Sequence, residues 1–196
     1  MKACASWRYP FIALLSIGLG ACGGGAHMVR TGQAPVIKQG EATMVFMRAS
    51  TFGGSSIAAL VLDVTEPEAK FIGMVDKGTK VAYPVKPGEY TFMVVSEAAD
   101  FMQATVVPGK TCYAMVTPRL GLWKARFSFT PVRQGDAEFA DRDSGTQFVE
   151  LGPRTLEWAR RNERDINSKR LRYWPDWTSK PADERAAQTL NAEDCR

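Results

Sequence analysis

The sequence predicts a mainly β fold, an antiparallel β-sandwich with a C-terminal α-helical extension. Three observations support this prediction. Between residues 41 and 133, short runs of β-branched and aromatic residues are separated by Gly, Pro and Asp. No helical stretch of about 10–15 residues interrupts these runs, so parallel βαβ units are not expected. After about Asp136, β-branched residues become scarce and Arg, Glu and Asp dominate.

The region 41–133 is predicted to contain eight strands. The last shows the clearest period of two, because apolar residues such as Phe127 and Phe129 alternate with polar ones such as Arg126 and Ser128. Around Phe92, both alternating sets are largely apolar, which predicts a strand covered on both faces. The predicted strands are 43–49, 57–63, 69–75, 79–85, 89–96, 101–107, 111–118 and 122–131.

Two Pro-Gly pairs mark turns between these strands. Pro87-Gly88 and Pro108-Gly109 each combine a fixed φ with a residue that tolerates positive φ, the pattern of a type II turn. Short strands joined by such turns favour an antiparallel sandwich or a small barrel.

The C-terminal segment 134–196 is predicted to be helical. A helix should begin at Pro153, since proline is favoured at the first helical position, and extend to about Arg172 before Pro175 ends the helical region. Its thin apolar stripe predicts that it lies on the sandwich. A second, short helix is predicted from Pro181 to about Asn191.

Residues 152–172 are rich in basic side chains. One interpretation is a patch that binds an anionic partner, such as lipid headgroups, lipopolysaccharide or peptidoglycan. The alternative is a solvated helix with local ion pairs such as Glu157–Arg161. The residues concerned are Arg154, Arg160, Arg161, Arg164, Lys169, Arg170 and Arg172.

Three aromatic residues surround Pro175, namely Tyr173, Trp174 and Trp177. They could stack on a sugar ring or a peptide. Alternatively, they attach the C-terminal segment to the domain by burying apolar area.

Composition argues against several function classes. The whole chain has 25 basic and 21 acidic residues; without Lys2 and Arg8 of the predicted signal segment the balance is only +2, so no nucleic-acid partner is expected. His27 is the single histidine, so histidine-based catalysis and histidine metal sites are not expected, and neither is a cofactor. A carboxylate-based hydrolase of envelope polymer stays an alternative. Glu97 and Asp100 fall in one predicted turn and Asp63 ends a predicted strand, but no spacing marks them as a catalytic pair.

The N-terminal region is predicted to be an export signal followed by a membrane anchor. Lys2 and Arg8 precede an apolar run that is too short to span a bilayer but typical of a signal peptide, assigned to residues 1–21. Leu19-Gly20-Ala21-Cys22 resembles a bacterial lipobox, which implies that Cys22 carries acyl chains such as palmitate. The Gly-rich segment 22–40 is predicted to be a flexible tether.

Two cysteines remain in the folded part of the chain, Cys112 and Cys195. An oxidising periplasm permits a disulfide between them. The alternative is two unpaired thiols, with Cys112 a small buried apolar residue and Cys195 close to a frayed end.

Several segments resemble an uncharacterised family of bacterial lipoproteins, domain-of-unknown-function family 2846. The resemblance covers roughly residues 42–132, and its motifs are structural. It implies a prealbumin-like or carboxypeptidase-regulatory-like β-sandwich and brings no catalytic residues. The matching segments are 45–48, 87–90, 96–101, 109–119 and 122–127.

Taken together, these patterns predict a non-enzymatic lipoprotein of the outer membrane that faces the periplasm. Gly23 after the lipidated cysteine favours the outer membrane, by resemblance to enteric lipoproteins. The protein would bind the membrane through the lipid on Cys22 and an envelope protein or glycan through its domain. The alternative is a structural tether that binds an anionic surface through residues 152–172.

Replacing Cys22 tests the predicted anchor. The Cys22→Ser chain should stay unlipidated and lose its place in the detergent phase of a two-phase extraction, because several acyl chains hold a protein at a bilayer at ~0.8 kcal/mol per buried CH₂. Cys4→Ser is the matched control and should behave as the unaltered chain. Persistent detergent partitioning of Cys22→Ser would contradict the prediction.

Overall fold

The structure, a computed structural model, describes residues 28–36, 38–50, 57–119 and 126–196. The first strands are β1 (Val29–Arg30), β2 (Ala42–Arg48), β3 (Ala59–Asp63), β4 (Lys70–Val75), β5 (Thr79–Val85) and β6 (Gly88–Val95). They are followed by β7 (Ala99–Val106), β8 (Thr111–Arg119) and β9 (Arg126–Pro131). The C-terminal third adds α1 (Phe139–Ser144), β10 (Gln147–Glu150), α2 (Pro153–Thr178), α3 (Ala182–Ala187) and β11 (Thr189–Leu190).

The eight predicted strands correspond to β2 through β9. Their bounds differ by no more than two residues from the predicted ones wherever the chain is described. Residues 122–125 of the last predicted strand lie outside the described residues, as do the predicted signal segment 1–21 and Cys22. The strands that the sequence missed are β1, β10 and β11, which have only two to four residues each.

These strands form two mixed sheets. The first has the order β1-β10-β5-β2-β8-β9 and the second has the order β11-β7-β6-β3-β4. Three pairs are parallel, β2 with β8, β5 with β10 and β7 with β11, which corrects the prediction of a wholly antiparallel arrangement. Turn signals specify pairing only between consecutive strands. The parallel pairs join strands that are distant in the sequence.

Side chains from both sheets meet in one buried apolar cluster. At its centre, the Phe46 ring of β2 lies 5.0 Å from Phe92 of β6 and 5.3 Å from Phe129 of β9, measured between centroids. Tilted and edge-to-face pairs of this kind add ~0.5–1.5 kcal/mol beyond burial. Strand β6 is covered on both faces as predicted, because Met93 and Val95 belong to a second cluster on the other face of its sheet.

Segments at both ends of the described chain take part in the sheets. Val29 and Arg30, within the predicted tether, pair with Glu150 and Val149 of β10 at the edge of the first sheet. The Arg30 guanidinium also donates to the Gln147 side chain at 2.6 Å. The predicted helical extension likewise contributes β10 to the first sheet and β11 to the second.

The long helix α2 continues through Pro175 to Thr178, which corrects its predicted end at Arg172. Proline removes one N–H from the helical ladder and usually breaks or kinks a helix. Here the last turn is held from outside, because Trp177 is buried and the Trp174 ring packs edge-on against Phe101 at 5.0 Å. This packing offsets the lost hydrogen bond.

The second helix is shorter than predicted, ending at Ala187 instead of about Asn191. The residues that follow it form β11, in which Thr189 and Leu190 pair with Gln103 and Ala104 of β7. Leu190 is fully buried in the main core. Its burial along the edge of the second sheet replaces the predicted final helical turn.

Of the two alternatives for the cysteines, the structure contains the disulfide. Cys112 in β8 is bonded to Cys195, with Cα atoms 4.3 Å apart, and both side chains are fully buried. The next residue is fixed as well, since the Arg196 N–H donates to the Thr111 carbonyl at 2.9 Å and the Thr111 N–H donates back at 2.8 Å. The C-terminus is therefore attached to β8 and not frayed.

Loss of this disulfide should lower the free energy of unfolding. The bond spans 83 residues, and a loop of that length stabilises the folded state by roughly 4–5 kcal/mol in the chain-entropy treatment. Urea unfolding with and without reductant should show a lower midpoint when the bond is reduced. The Cys112→Ala/Cys195→Ala chain is the control, because reductant should leave its midpoint unchanged. An unshifted midpoint in the unaltered chain would contradict this expectation.

Candidate functional site

The candidate functional site is the exposed face of α2. The opposite face of the helix is fixed by Ile166 and Trp177, which are buried against the outer face of the second sheet, with Trp158 and Tyr173 half-buried beside them. The spacing of these residues matches a helical stripe. It agrees with the predicted position of the helix on a sheet, and it determines which basic residues face solvent.

Two of the seven predicted basic residues make contacts within the fold. The Arg170 guanidinium donates to three backbone carbonyls, those of Pro67 at 2.7 Å, Val64 at 2.9 Å and Glu66 at 3.1 Å. The Lys169 ammonium donates to the Ser96 carbonyl and to Asp165, both at 2.8 Å. These side chains attach α2 to two loops of the second sheet. The interpretation of all seven as one binding patch is therefore wrong for Lys169 and Arg170.

Two further basic residues have local partners on the helix surface. Arg161 lies 3.2 Å from the Glu157 carboxylate, as the alternative of local ion pairs predicts, and both side chains are mostly exposed. Such an exposed pair contributes only ~0.3–0.5 kcal/mol. The Arg172 guanidinium lies 5.5 Å from the centre of the Tyr173 ring.

The remaining three, Arg154, Arg160 and Arg164, are exposed and form no ion pair with a described carboxylate. Arg160, Arg161 and Arg164 lie with Leu171 along one open surface of the helix. Leu171 is 76% exposed and lies among these arginines. The exposed face of α2 therefore combines several positive charges with an exposed apolar side chain.

The three predicted aromatic residues divide between burial and exposure. Trp177 is buried, and its indole N–H donates to Gln188 at 3.1 Å. Trp174 stacks on Trp177 with a centroid separation of 5.4 Å and an interplanar angle of 19°, yet it is 38% exposed. Trp177 thus attaches the helix, while Trp174 presents an aromatic surface to solvent.

A buried polar junction below α2, centred on Asp100, was not predicted from the sequence. The Asp100 carboxylate accepts from the Lys180 ammonium at 3.0 Å and from the Gln188 amide at 2.5 Å, and Arg119 lies at 3.4 Å. Lys180 also donates to the side-chain amide oxygen of Gln188 at 2.6 Å. Because Asp100 is about 80 residues from Lys180 in the chain, no local pattern marks this junction.

The carboxylates considered for a hydrolase do not share a cleft. Glu97 lines a cleft between α2 and the second sheet, whereas Asp100 lines a separate one beside Arg119. Asp63 is buried and accepts a hydrogen bond from the Tyr83 hydroxyl at 3.1 Å. Burial, together with the Asp63 carboxylate, raises the pKa of Tyr83, so that Tyr83 remains a donor. A carboxylate pair must face one substrate across one cleft, and this geometry is not present among these three.

Neither a metal-binding cluster nor a membrane-spanning helix is found among the described residues. In residues 28–36, 38–50, 57–119 and 126–196, no group of three or more His, Cys, Asp or Glu side chains is placed to hold a metal ion. No helix in this part of the chain combines the length and apolar character that crossing a bilayer requires.

Comparison of the chain with family models and with curated proteins gives no match.

The two classes of basic residue on α2 should differ in their effect on stability. Arg170→Gln should lower the free energy of unfolding by about 1–3 kcal/mol, because three carbonyls lose a charged donor. Arg164→Gln, on the exposed face of the same helix, should change it by no more than about 0.5 kcal/mol. Urea unfolding measures the free energy of both variants. Equal changes would contradict the division of the basic residues into those that attach the helix and those that face solvent.

Proposed function

We propose that this chain is a non-enzymatic, lipid-anchored binding module on the periplasmic face of the bacterial outer membrane. In this proposal, acyl chains on Cys22 hold it at the membrane, and the exposed face of α2 binds the anionic surface of the bilayer. We also propose that the two sheets form a β-sandwich of the prealbumin-like type. The apolar cluster that both sheets share supports this assignment.

The observation that carries the proposal is the charge on the exposed face of α2. Arg154, Arg160 and Arg164 have no carboxylate partner among the described residues, and Arg161 has only an exposed one. Basic side chains near an anionic lipid surface contribute about 1 kcal/mol each. Exposed Leu171 supplies an apolar contact for the same interface.

Chain length also supports a contact with the bilayer. Six peptide units separate Cys22 from Met28, the first described residue, and a fully extended chain of that length reaches roughly 20 Å. An acylated Cys22 would therefore keep β1 close to the headgroups. β1 belongs to the first sheet and α2 lies on the second, so this reach brings the domain to the bilayer without fixing which face meets it. Because the attraction of basic side chains to anionic lipids decays over a Debye length of about 8 Å, it acts when α2 faces the headgroups.

Vesicle binding tests this proposal with matched charge variants. The Cys22→Ser chain, which lacks the proposed anchor, should pellet with vesicles of anionic lipid at low salt and dissociate as salt rises. Replacing Arg160, Arg161 and Arg164 by Gln should weaken this binding by up to roughly a hundredfold, at about 1 kcal/mol for each charge.

The control replaces three exposed lysines on other surfaces, Lys70, Lys77 and Lys86, by Gln. It changes the net charge equally but leaves α2 intact, so it should retain most of the binding. Equal loss in both triple variants, or binding that salt does not affect, would contradict a role for α2.

A further inference from the structure

A second groove lies beside the C-terminal half of α2. It has a volume of about 770 Å³, and its walls are α2 and the turn at residues 64–67. This volume is within the usual range of small-molecule sites, about 300–1,000 Å³. Its lining includes Thr65, Thr91, Asn167, Arg170, Leu171 and Trp174.

The walls of this groove are fixed before any ligand binds. Arg170, from α2, donates to three carbonyls of the opposite wall, which sets the distance between the helix and the 64–67 turn. Trp174 is held by stacking on Trp177 and by its edge-on contact with Phe101. A preformed site avoids much of the ordering cost of binding.

The groove contains no carboxylate and a single cation. Arg170 is the single charged residue among its described lining residues, and its two terminal nitrogens donate to three backbone carbonyls of the opposite wall. A cationic ligand would lose water here without gaining a counter-charge, which is unfavourable. An anion would have to compete for a guanidinium that already holds the wall, so a neutral ligand rich in hydroxyl groups fits the groove best.

Polar groups in the groove can still orient a neutral ligand. Neither the Asn167 side-chain amide nor the Thr91 hydroxyl has a hydrogen-bond partner among the described residues. The Thr65 hydroxyl accepts from the Thr91 N–H at 3.0 Å and keeps its own proton for donation. These groups and the exposed part of the Trp174 ring line the same groove. One face of that ring stacks on Trp177.

We propose that this groove binds a neutral glycan, with one pyranose ring stacked on Trp174. A pyranose with equatorial hydroxyls has a flat apolar face of C–H groups, which suits an indole, and a rim of hydroxyls, which suits amide and hydroxyl partners. Asn167, Thr91 and Thr65 would bond to this rim. The site is distinct from the exposed arginine surface of α2, although Asn167 and Leu171 border both.

Binding of defined oligosaccharides tests the proposal on the full chain in detergent micelles. The probes are cellotetraose and its N-acetylated counterpart chitotetraose. Saturation-transfer NMR should show the C–H protons of one ring face close to the protein, and titration gives the affinity. Trp174→Ala should reduce the affinity about tenfold, and Trp174→Phe should restore part of it, since a smaller ring still stacks.

Asn167→Ala tests the polar contact without altering the aromatic packing, and it should also weaken binding. Asn162→Ala is its matched control, because Asn162 lies on the same helix but lines the other side of it, where its amide donates to the Trp158 carbonyl. This control should leave the affinity unchanged. The Arg160/Arg161/Arg164 triple variant should likewise bind the probes normally, which separates this site from the membrane surface.

The proposal is overturned if neither oligosaccharide binds at millimolar concentration, or if binding survives Trp174→Ala in a folded protein. Binding of a proline-rich peptide in place of the sugars would also overturn it. Loss of vesicle binding in Trp174→Ala, with no sugar binding in the unaltered chain, would assign Trp174 to the membrane interface.

Discussion

The attachment of α2 to the outer face of the second sheet is the interaction on which both proposed binding surfaces depend. Ile166 and Trp177 bury the inner face of the helix, and the Asp100 junction with Lys180 and Gln188 fixes its C-terminal end. A junction of this kind is stable only because its members satisfy one another, since a lone buried carboxylate is costly. With the helix held in this way, its remaining side chains form two surfaces of different chemistry, one basic and one neutral.

Similar residue types on α2 have different roles because a helix has two sides. Arg170 and Arg164 are both arginines in the same basic segment, yet one bonds to the 64–67 turn and the other faces solvent. Trp174 and Trp177 are neighbours on one face of the helix and stack on each other, yet they too differ in exposure. Composition alone treats these residues as equivalent. Only the position of the sheet beneath the helix separates them.

The strands of residues 41–133 could be predicted because their signals are local. The strand around Phe127 and the Pro108-Gly109 turn, in which Gly109 has φ 73°, depend on neighbouring residues, and the structure contains both. The predicted type II turn at Pro87-Gly88 is not formed, because Gly88 has φ 154° and already begins β6, in the other sheet from β5. The strands that the sequence did not predict depend on distant residues. β10 and β11 are too short to show a period, and their pairing is decided by where the helices bring the chain. The end of α2 was misjudged for the same reason, since the local effect of Pro175 is outweighed by packing of Trp177 on the sheet.

The bond between Cys112 and Cys195 has a mechanical consequence. When the two ends of the chain are pulled apart, tension passes from Cys112 directly to Cys195 and then to Arg196. The 82 intervening residues, which include all of α2, lie in a covalently closed loop that carries no load. Tension therefore acts directly on β1 to β7 and reaches α2 only through its packing on the second sheet.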